Sequence, residues 1–233
     1  MIARTAILLC FYVFAVILLV PLLVLSLILS GREFLIGVGK WAMRVSRWIL
    51  GFRIEVRGLE AVDRESASVF MSNHQSFIDG PLLLMLIPGP VRVIIKKSVS
   101  RIPVIGLGMK FVGFVPVDRK GTRTGRAAID RAVRAIKDRG YSFLIFPEGT
   151  RCRDGAIQAF RRGGFFLALE SGAPIVPVSI LGTYPLMPKG RIVPRRGPIR
   201  VTFHPPVPTR NSSPERLGEL SDRVRACILA GLE

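Results

Sequence analysis

The segment SNHQSFID at residues 72–79 places a histidine and an aspartate, His74 and Asp79, just after an apolar run. Neutral imidazole is the side chain best suited to take a proton from a hydroxyl near neutral pH. A carboxylate that accepts the other ring N–H selects the imidazole tautomer and stabilises the imidazolium as it forms. His74 is therefore a candidate general base, with Asp79 as its partner. The same two residues could instead close a strand and place a negative charge at a helix N-terminus.

A second polar segment, FPEGTR at residues 146–151, follows another apolar run. Arg151 offers a planar guanidinium whose N–H groups match a phosphate. Gly149 would let the backbone approach a ligand closely, and Glu148 could accept a hydrogen bond from a hydroxyl or orient Arg151. These residues predict anion capture. A surface turn closed by an ion pair between Glu148 and Arg151 is the alternative that remains open.

The chain that must position these groups is strongly basic. Its 233 residues include 34 Lys and Arg against 16 Asp and Glu, and only Arg4 among them precedes Arg32. With 49% apolar residues, the chain can bury a sizeable core. A basic body attracts nucleic acid, anionic lipid headgroups or phosphorylated substrates. A nucleic-acid-binding body would be expected to interleave aromatic residues with its cations, and the body's only tyrosines are Tyr141 and Tyr184, so we expect no nucleic-acid partner.

The N-terminal part predicts membrane attachment. Residues 6–30 form an unbroken run of 25 uncharged, mostly apolar residues. This run can cross about 30 Å of hydrocarbon as a helix and exceeds the apolar region of about 7 to 15 residues in a secretory signal. Pro21 could kink it or turn it back as a re-entrant hairpin. We predict a helical membrane-anchoring segment over residues 1–51, with the body on the cytoplasmic face because basic residues follow the run, at the inner membrane if the chain is bacterial.

An amphipathic basic helix is predicted directly after the apolar run. Apolar residues recur at spacings of three and four, and basic residues recur in the same way on the opposite side. The apolar stripe comprises Phe34, Val38, Trp41, Val45 and Trp48, and the basic stripe comprises Lys40, Arg44 and Arg47. Such a helix can lie in the headgroup layer with its tryptophans at the acyl boundary. It could equally pack its tryptophan stripe on the globular body.

Over residues 52–233, short β-rich runs alternate with helical patterns. This alternation predicts an α/β layered domain with a central mostly parallel or mixed sheet flanked by helices. Strands are predicted at residues 68–72, 91–95, 113–117, 142–146, 175–180 and 199–203. A surface helix is predicted over residues 124–139 with Gly140 as its stop, and a last helix from Ser213 to Leu232.

Four motifs in a fixed order resemble the 1-acylglycerol-3-phosphate acyltransferase family, often called PlsC-like. Asn73 and His74 with Asp79 are similar to the family's first motif, VPVDR at residues 115–119 to its second, FPEGTR to its third and VPVS at residues 176–179 to its fourth. The resemblance covers roughly residues 51–181, and V-D-R in the second motif stands where many relatives have I-D-R. It implies that His74 is the general base with Asp79 as its partner. It also implies an acceptor site formed by Glu148, Gly149, Thr150, Arg151, Arg119 and Lys96.

The resemblance implies transfer of a fatty acyl group from acyl-CoA or acyl-carrier protein to the sn-2 hydroxyl of 1-acylglycerol 3-phosphate, which makes phosphatidic acid. The implied partners are the phospholipid bilayer, lysophosphatidic acid and the thioester donor, which acts as co-substrate. The motifs do not separate this acceptor from glycerol 3-phosphate, another lysophospholipid or a lyso-aminolipid. The alternative from another class is a non-catalytic basic membrane tether, which would not require His74 to be paired with Asp79.

The expected mechanism is direct transfer without an acyl-enzyme, a metal ion or a bound cofactor. No serine occupies a G-x-S-x-G sequence, and the three cysteines show no C-x-x-C or metal-ligand spacing with the two histidines. We interpret Cys152 as a bystander thiol and His204 as structural. Backbone N–H groups near His74 are the expected donors to the oxyanion of the tetrahedral intermediate.

Overall fold

The computed structural model has an α/β architecture. It describes residues 31–118, 122–152, 154–191, 193–210 and 212–233, together with positions 6, 7, 10, 13, 14, 17, 20, 21, 24–26 and 28. Arg119, one of the predicted acceptor-site cations, lies outside the described residues, and so does about half of the apolar run at residues 6–30.

A seven-stranded sheet forms the centre of the described fold. Its strands are β1 (Arg53–Arg57), β2 (Val69–Ser72), β3 (Val91–Lys96), β4 (Val115–Val117), β5 (Ser142–Ile145), β6 (Ile175–Leu181) and β7 (Pro198–Phe203). Their spatial order is β1-β7-β6-β2-β5-β3-β4. Neighbours are parallel except for β6 and β7, which are antiparallel. The predicted mixed sheet flanked by helices is confirmed.

One helix precedes the sheet, and from β2 onward a helix follows each strand. They are α1 (Arg32–Leu50), α2 (Asp79–Leu86), α3 (Ile105–Phe111), α4 (Thr122–Arg139), α5 (Gly163–Ser171), α6 (Thr183–Leu186) and α7 (Leu217–Ala230). Short 3₁₀ turns lie at Leu59–Ala61, Val99–Arg101 and Pro214–Arg216. The predicted surface helix is confirmed as α4, and Gly140 ends it with a φ of 63°.

The six predicted strands are confirmed to within two residues at each end, and a seventh was missed. β1 has the sequence RIEVR, in which charged residues alternate with apolar ones and face solvent. It lies at the edge of the sheet and pairs only with β7. A half-exposed edge strand rich in charge lacks the continuous apolar run by which the buried parallel strands are recognised.

The core has two layers because the central strands are buried on both faces. All four residues of β2 are buried, and their side chains alternate between the two sides. Phe70 packs in the layer under α2, while Val69 and Met71 pack in the layer under α4, α5 and α7. Because β2, β3, β4, β5 and β6 run parallel to one another, their carboxyl ends lie at one common edge of the sheet, where the first and third predicted motifs lie.

Helix α1 does not pack its tryptophan stripe on the body. Trp41 is 57% exposed and Trp48 is 83% exposed, and Phe34 on the same stripe is 53% exposed. The buried positions of α1 are Leu35, Ile36 and Ser46. The alternative in which the tryptophans pack on the globular domain is therefore wrong.

The described positions of the apolar run at residues 6–30 are helical, and most of them expose apolar side chains. Within the part of the chain that the structure describes, no helix has both the length and the apolar character that crossing a bilayer requires.

A buried arginine ties α1 to the sheet. Arg92 of β3 is fully buried, its guanidinium lies 3.7 Å from the centre of the Tyr141 ring, and it pairs with Glu33 of α1. Lys40 of α1 donates to the carbonyl of Ile87 at 3.0 Å. Burial lowers the pKa of Lys40. These contacts set the position of α1 relative to the sheet.

The C-terminal helix closes over the second layer of the core. The segment predicted as one helix from Ser213 consists of a 3₁₀ turn followed by α7. Ser179 of β6 donates to the carbonyl of Ile228 at 2.7 Å, so His204 Nε2, also at 2.7 Å, donates to the Ser179 hydroxyl. His204 thus makes a structural contact, as the sequence indicated, and burial lowers its pKa.

Substitutions at two glycines near the ends of α7 should change the free energy of unfolding in opposite directions and so test this packing. A Cβ at Gly231 would lie 2.4 Å from Ser179 Oγ and 2.8 Å from His204 Nε2, whereas a Cβ at Gly218 would meet nothing within 4 Å. We expect Gly231→Ala to lower the free energy of unfolding by about 1–3 kcal/mol through overpacking. Gly218→Ala should raise it by up to about 1 kcal/mol through helix propensity. Denaturant unfolding of both variants measures this, and an unchanged Gly231→Ala protein would contradict the packing.

Candidate active site

His74 and Asp79 are brought together by the turn that connects β2 to α2. His74 Nδ1 lies 3.0 Å from Asp79 Oδ2. The carboxylate accepts this hydrogen bond, so Nδ1 carries the proton and Nε2 is the ring nitrogen left to act as a base. Asp79 is fully buried, whereas the side chain of His74 keeps 18% of its surface exposed. The arrangement can take a proton from a hydroxyl that approaches Nε2.

Asp79 also shapes the turn that carries His74. Its Oδ2 atom accepts the backbone N–H groups of Gln75 and Ser76, each at 2.7 Å. The N–H of His74 is taken as well, by Glu148. Our expectation that N–H groups of this turn bind the oxyanion is therefore wrong for His74, Gln75 and Ser76, because all three already have acceptors.

Asn73 fastens the carboxyl end of β2 to β6. Its Nδ2 donates to the carbonyl of Ile180 at 2.9 Å, and its Oδ1 accepts the N–H of the same residue at 2.8 Å. The amide side chain thus continues the pairing of β2 and β6 one step beyond the last strand residues. Since Asn73 is fully buried, these two hydrogen bonds fix the residue directly before His74.

The segment after β5 holds the backbone of His74 from the other side. Glu148 Oε1 accepts the N–H of His74 at 2.7 Å, and Glu148 Oε2 accepts the N–H of Gln158 at 3.0 Å. The N–H of Cys152 donates to the carbonyl of His74 at 3.1 Å. Both backbone groups of His74 are thus bound by the FPEGTR segment and its extension.

Glu148 is almost fully buried, with 2% of its surface exposed. Burial raises the pKa of this carboxyl group, and the two backbone donors act in the opposite direction. Its two oxygens are engaged by the backbone, so the structure shows Glu148 as a residue that positions His74. The substrate contact inferred for Glu148 from the sequence stays a prediction.

The imidazole of His74 lies flat on an aromatic ring. The Phe146 ring centre is 4.0 Å from that of His74, and the two planes meet at 18°. Phe146 directly follows β5, so the strand end that supplies Glu148 also supplies this stacking surface. The ring therefore restricts rotation of the imidazole, while the bond to Asp79 selects its tautomer.

Arg151 lies beside the same turn. Its guanidinium carbon is 5.9 Å from the centre of the Phe77 ring, and Phe77 is 61% exposed.

Gly149 has a φ of 73°, and a Cβ there would lie 2.8 Å from Nε of Arg161. Arg161 was missed by sequence analysis, because it lies twelve residues beyond Gly149 and only the loop between them brings it back. Thr150 lies between Gly149 and Arg151 and is half-buried.

Comparison with known proteins agrees with this geometry. The model of the Acyltransferase family matches residues 53–181, which is more than half of the chain. The chain belongs to this acyltransferase family. A chloroplastic 1-acyl-sn-glycerol-3-phosphate acyltransferase of Brassica napus is 36% identical over 67% of this chain and 45% of its own length. The human 1-acyl-sn-glycerol-3-phosphate acyltransferase alpha is 31% identical over 78% of this chain and 65% of its own length.

The chain spans about half the length of the plant chloroplast acyltransferases that it matches. Its match to a solved structure is more complete. The 1-acyl-sn-glycerophosphate acyltransferase PlsC of Thermotoga maritima superimposes with a TM-score of 0.81 at 28% identity, over 99% of this chain and 95% of that chain. The two proteins therefore share the sheet and the helices around it.

The remaining predicted site residues lie at the same sheet edge or outside the described part of the chain. Lys96 is the last residue of β3 and is exposed. Two strand spacings separate β3 from β2, so the end of β3 lies about 10 Å from the end of β2. Arg119 lies outside the residues that the structure describes. Lys96, Arg119, Thr150 and Gly149 stay predictions as substrate contacts.

Cys152 is fully buried, and burial raises the pKa of its thiol. A buried neutral thiol is a poor nucleophile. Within the described residues, no three His, Cys, Asp or Glu side chains are grouped so that they could hold a metal ion. The chemistry of the site thus centres on the imidazole of His74.

The raised pKa of Glu148 predicts a pH dependence of stability. The folded protein binds a proton at this carboxyl group more readily than the unfolded chain does, whose ordinary value is 4.5. Stability contributed by the protonated form is therefore lost as the pH rises from that value through the raised pKa. The free energy of unfolding of the parent minus that of Glu148→Gln should fall across this window and then level off. Denaturant unfolding at a series of pH values measures it, and a difference that rises with pH would show that the two N–H donors outweigh burial.

Proposed function

We propose that this acyltransferase moves a fatty acyl group from a thioester to the sn-2 hydroxyl of 1-acylglycerol 3-phosphate and so makes phosphatidic acid. The observation that carries this proposal is the hydrogen bond from His74 Nδ1 to the buried carboxylate of Asp79. It leaves Nε2 as a base at the common edge of the sheet. The names of the relatives from Brassica napus and human and of the Thermotoga maritima structure support the acceptor.

In the proposed reaction, His74 Nε2 takes the proton of the acceptor hydroxyl as its oxygen attacks the thioester carbonyl carbon. Asp79 stabilises the imidazolium that forms, because its carboxylate already accepts the Nδ1 proton. The tetrahedral intermediate then collapses with cleavage of the bond from carbon to sulfur. The proton on Nε2 passes to the leaving sulfur, which yields the ester and a free thiol and restores the neutral imidazole.

Direct transfer fits this site better than an acyl-enzyme. The only cysteine near His74 among the described residues is Cys152, whose thiol is fully buried and whose pKa is raised by burial. The Ser76 hydroxyl donates to the carbonyl of Met187 at 2.8 Å. His74 therefore activates the acceptor hydroxyl rather than a nucleophile of the enzyme.

The acceptor phosphate is proposed to bind to Arg151, with Lys96 and Arg119 as further cations and with Glu148, Gly149 and Thr150 shaping the loop. The guanidinium of Arg151 lies next to Phe77, which belongs to the turn that carries His74. A phosphate bound to Arg151 would therefore keep the sn-2 hydroxyl of the same acceptor close to the base. The donor is acyl-CoA or acyl-carrier protein, and both carry anionic groups that suit a chain of net charge +18. No cofactor is needed beyond this co-substrate.

We also propose that residues 1–51 attach the acyltransferase to a membrane and that residues 52–233 form the catalytic domain on its cytoplasmic face. The exposed Phe34, Trp41 and Trp48 on one stripe of α1 support this proposal, since aromatic side chains of this kind are stable at the lipid interface. Full activity on bilayer-embedded acceptor after removal of residues 1–51 would contradict it.

The decisive test of the reaction is product formation by purified protein in lipid micelles with lysophosphatidic acid and either thioester donor. We expect His74→Ala and Asp79→Asn each to lower kcat by about 10²-fold or more, because the first removes the base and the second its partner. Asp138→Asn, at the exposed end of α4, is the matched control and should retain full activity. Phosphatidic acid is measured by mass together with released thiol. Undiminished product from His74→Ala would refute the proposed base, and product only with another lyso acceptor would change the substrate.

Arg151 can be tested by the phosphate dependence of its effect. We expect Arg151→Lys to lower kcat/KM for lysophosphatidic acid by about 10-fold or more, because a lysine cannot form the two parallel hydrogen bonds of a guanidinium. The same change should have little effect on a monoacylglycerol, which has no phosphate. Arg134→Lys on the exposed face of α4 serves as control. Equal losses on both acceptors would show that Arg151 supports the loop and does not bind the phosphate.

A further inference from the structure

Three large apolar side chains are exposed on the connection between β3 and β4. Ile102 exposes 45% of its surface, Ile105 38% and Leu107 55%. We call residues 102–107 the α3 tip, because they comprise the turn before α3 and its first residues. Single exposed apolar side chains are ordinary, but three within six residues indicate an interaction surface.

The backbone of the α3 tip is held in an unfavourable conformation. Val104 has φ 59° and ψ −60°, and the N–H of Ile105 donates to the carbonyl of Pro103 at 2.6 Å. These values define a γ-turn of the rare form, which is strained for a β-branched residue. A Cβ at Gly106 would lie 2.4 Å from the carbonyl oxygen of Ser100, so the chain folds back tightly here. The fold thus maintains a strained turn that leaves Ile102 and Ile105 in solvent.

The surroundings of the α3 tip are positively charged. Residues 91–117 contain five basic residues and no acidic one. Arg92 is buried, whereas Lys96, Lys97, Arg101 and Lys110 are exposed, and Lys97 lies 3.9 Å from Asp118. Two copies of such a patch would repel each other. Apolar side chains surrounded by cations match an anionic lipid surface, where the apolar groups reach the acyl boundary and the cations lie near phosphates.

The part of α3 that follows the tip packs against the N-terminal part of α1. A Cβ at Gly108 of α3 would lie 4.0 Å from Leu35, and the guanidinium of Arg32 lies 5.8 Å from the centre of the Phe111 ring. Leu35 directly follows the exposed Phe34. The connection that carries the tip also leaves the carboxyl end of β3, so it lies at the same edge of the sheet as His74.

We propose that the α3 tip is a second lipid-binding surface, in which Ile102, Ile105 and Leu107 enter the acyl boundary while Lys97, Arg101 and Lys110 contact lipid phosphates. Together with α1 it orients the domain so that the sheet edge with His74 faces the bilayer. The inference builds on the proposed function, since it explains how a base on the domain meets an acceptor in the membrane. Lipid contact can be measured without acyl transfer, so the two proposals fail separately.

The test uses a fluorescent probe in the full chain. In a Cys10→Ser and Cys227→Ser background, Cys152 is retained because it is fully buried. Leu107→Cys is labelled with a polarity-sensitive nitrobenzoxadiazole, and Leu229→Cys on α7, where the leucine is 36% exposed, provides the matched control. The protein is reconstituted in vesicles of phosphatidylcholine and phosphatidylglycerol with nitroxide groups on the acyl chains. We expect several-fold stronger quenching of the probe at position 107 than at position 229.

A second variant, Ile102→Asn with Ile105→Asn and Leu107→Asn, should lower the ratio of activity on vesicle-embedded acceptor to activity on short-chain dispersed acceptor by about tenfold. Equal, weak quenching at positions 107 and 229 would overturn the proposal. A probe response at position 107 to acyl-carrier protein in the absence of vesicles, without quenching by lipid, would also overturn it, because the tip would then bind a protein. Strong quenching at position 107 without any acylation of lysophosphatidic acid would support the surface and reject the proposed function.

Discussion

One buried carboxylate oxygen organises the candidate active site. Asp79 Oδ2 accepts three donors, the imidazole Nδ1 of His74 and the backbone N–H groups of Gln75 and Ser76. A single interaction thus closes the turn between β2 and α2 and selects the tautomer of the base. Without it, the turn would lose the acceptor for two buried N–H groups and the imidazole would lose its orientation together.

The position of this turn depends on contacts that replace ordinary strand pairing. Beyond the last pairs of β2, the backbone needs partners that the sheet no longer supplies. Asn73 provides them toward β6 through Ile180, and Glu148 and the N–H of Cys152 provide them toward the segment after β5. The base is therefore held between two neighbouring parallel strands by side chains and backbone together. This explains why motifs that are distant in sequence act as one unit.

The buried ionisable groups beside His74 are acidic, whereas the chain as a whole is basic. These buried groups are Asp79 and Glu148, and the net charge of the chain is +18. Glu148 tolerates burial because two backbone N–H groups bind its oxygens, although burial still raises its pKa. The outer surface adds exposed apolar side chains on α1 and on the α3 tip. The imidazole supported by Asp79 and the guanidinium of Arg151 lie together at the carboxyl edge of the sheet.

The sequence by itself determined the α/β class, six of the strands, helix α4 and the pairing of His74 with Asp79. These features depend on local periodicity and on residue types a few positions apart. The edge strand β1 was not predicted, because its alternating charged residues lack a continuous apolar run. The exposure of Trp41 and Trp48 was not predicted either, because periodicity shows that an apolar stripe exists but not what it contacts.

Only the tertiary structure showed that Glu148 binds the backbone N–H of His74, that Arg161 approaches Gly149 and that the turn at Val104 is strained. Each of these depends on which strands are neighbours in space and on how loops return to the sheet. The order β6-β2-β5-β3 places residues next to each other that are separated by dozens to more than a hundred positions in the chain. Composition and spacing carry no record of that order, because it is set by the packing of whole helices and strands.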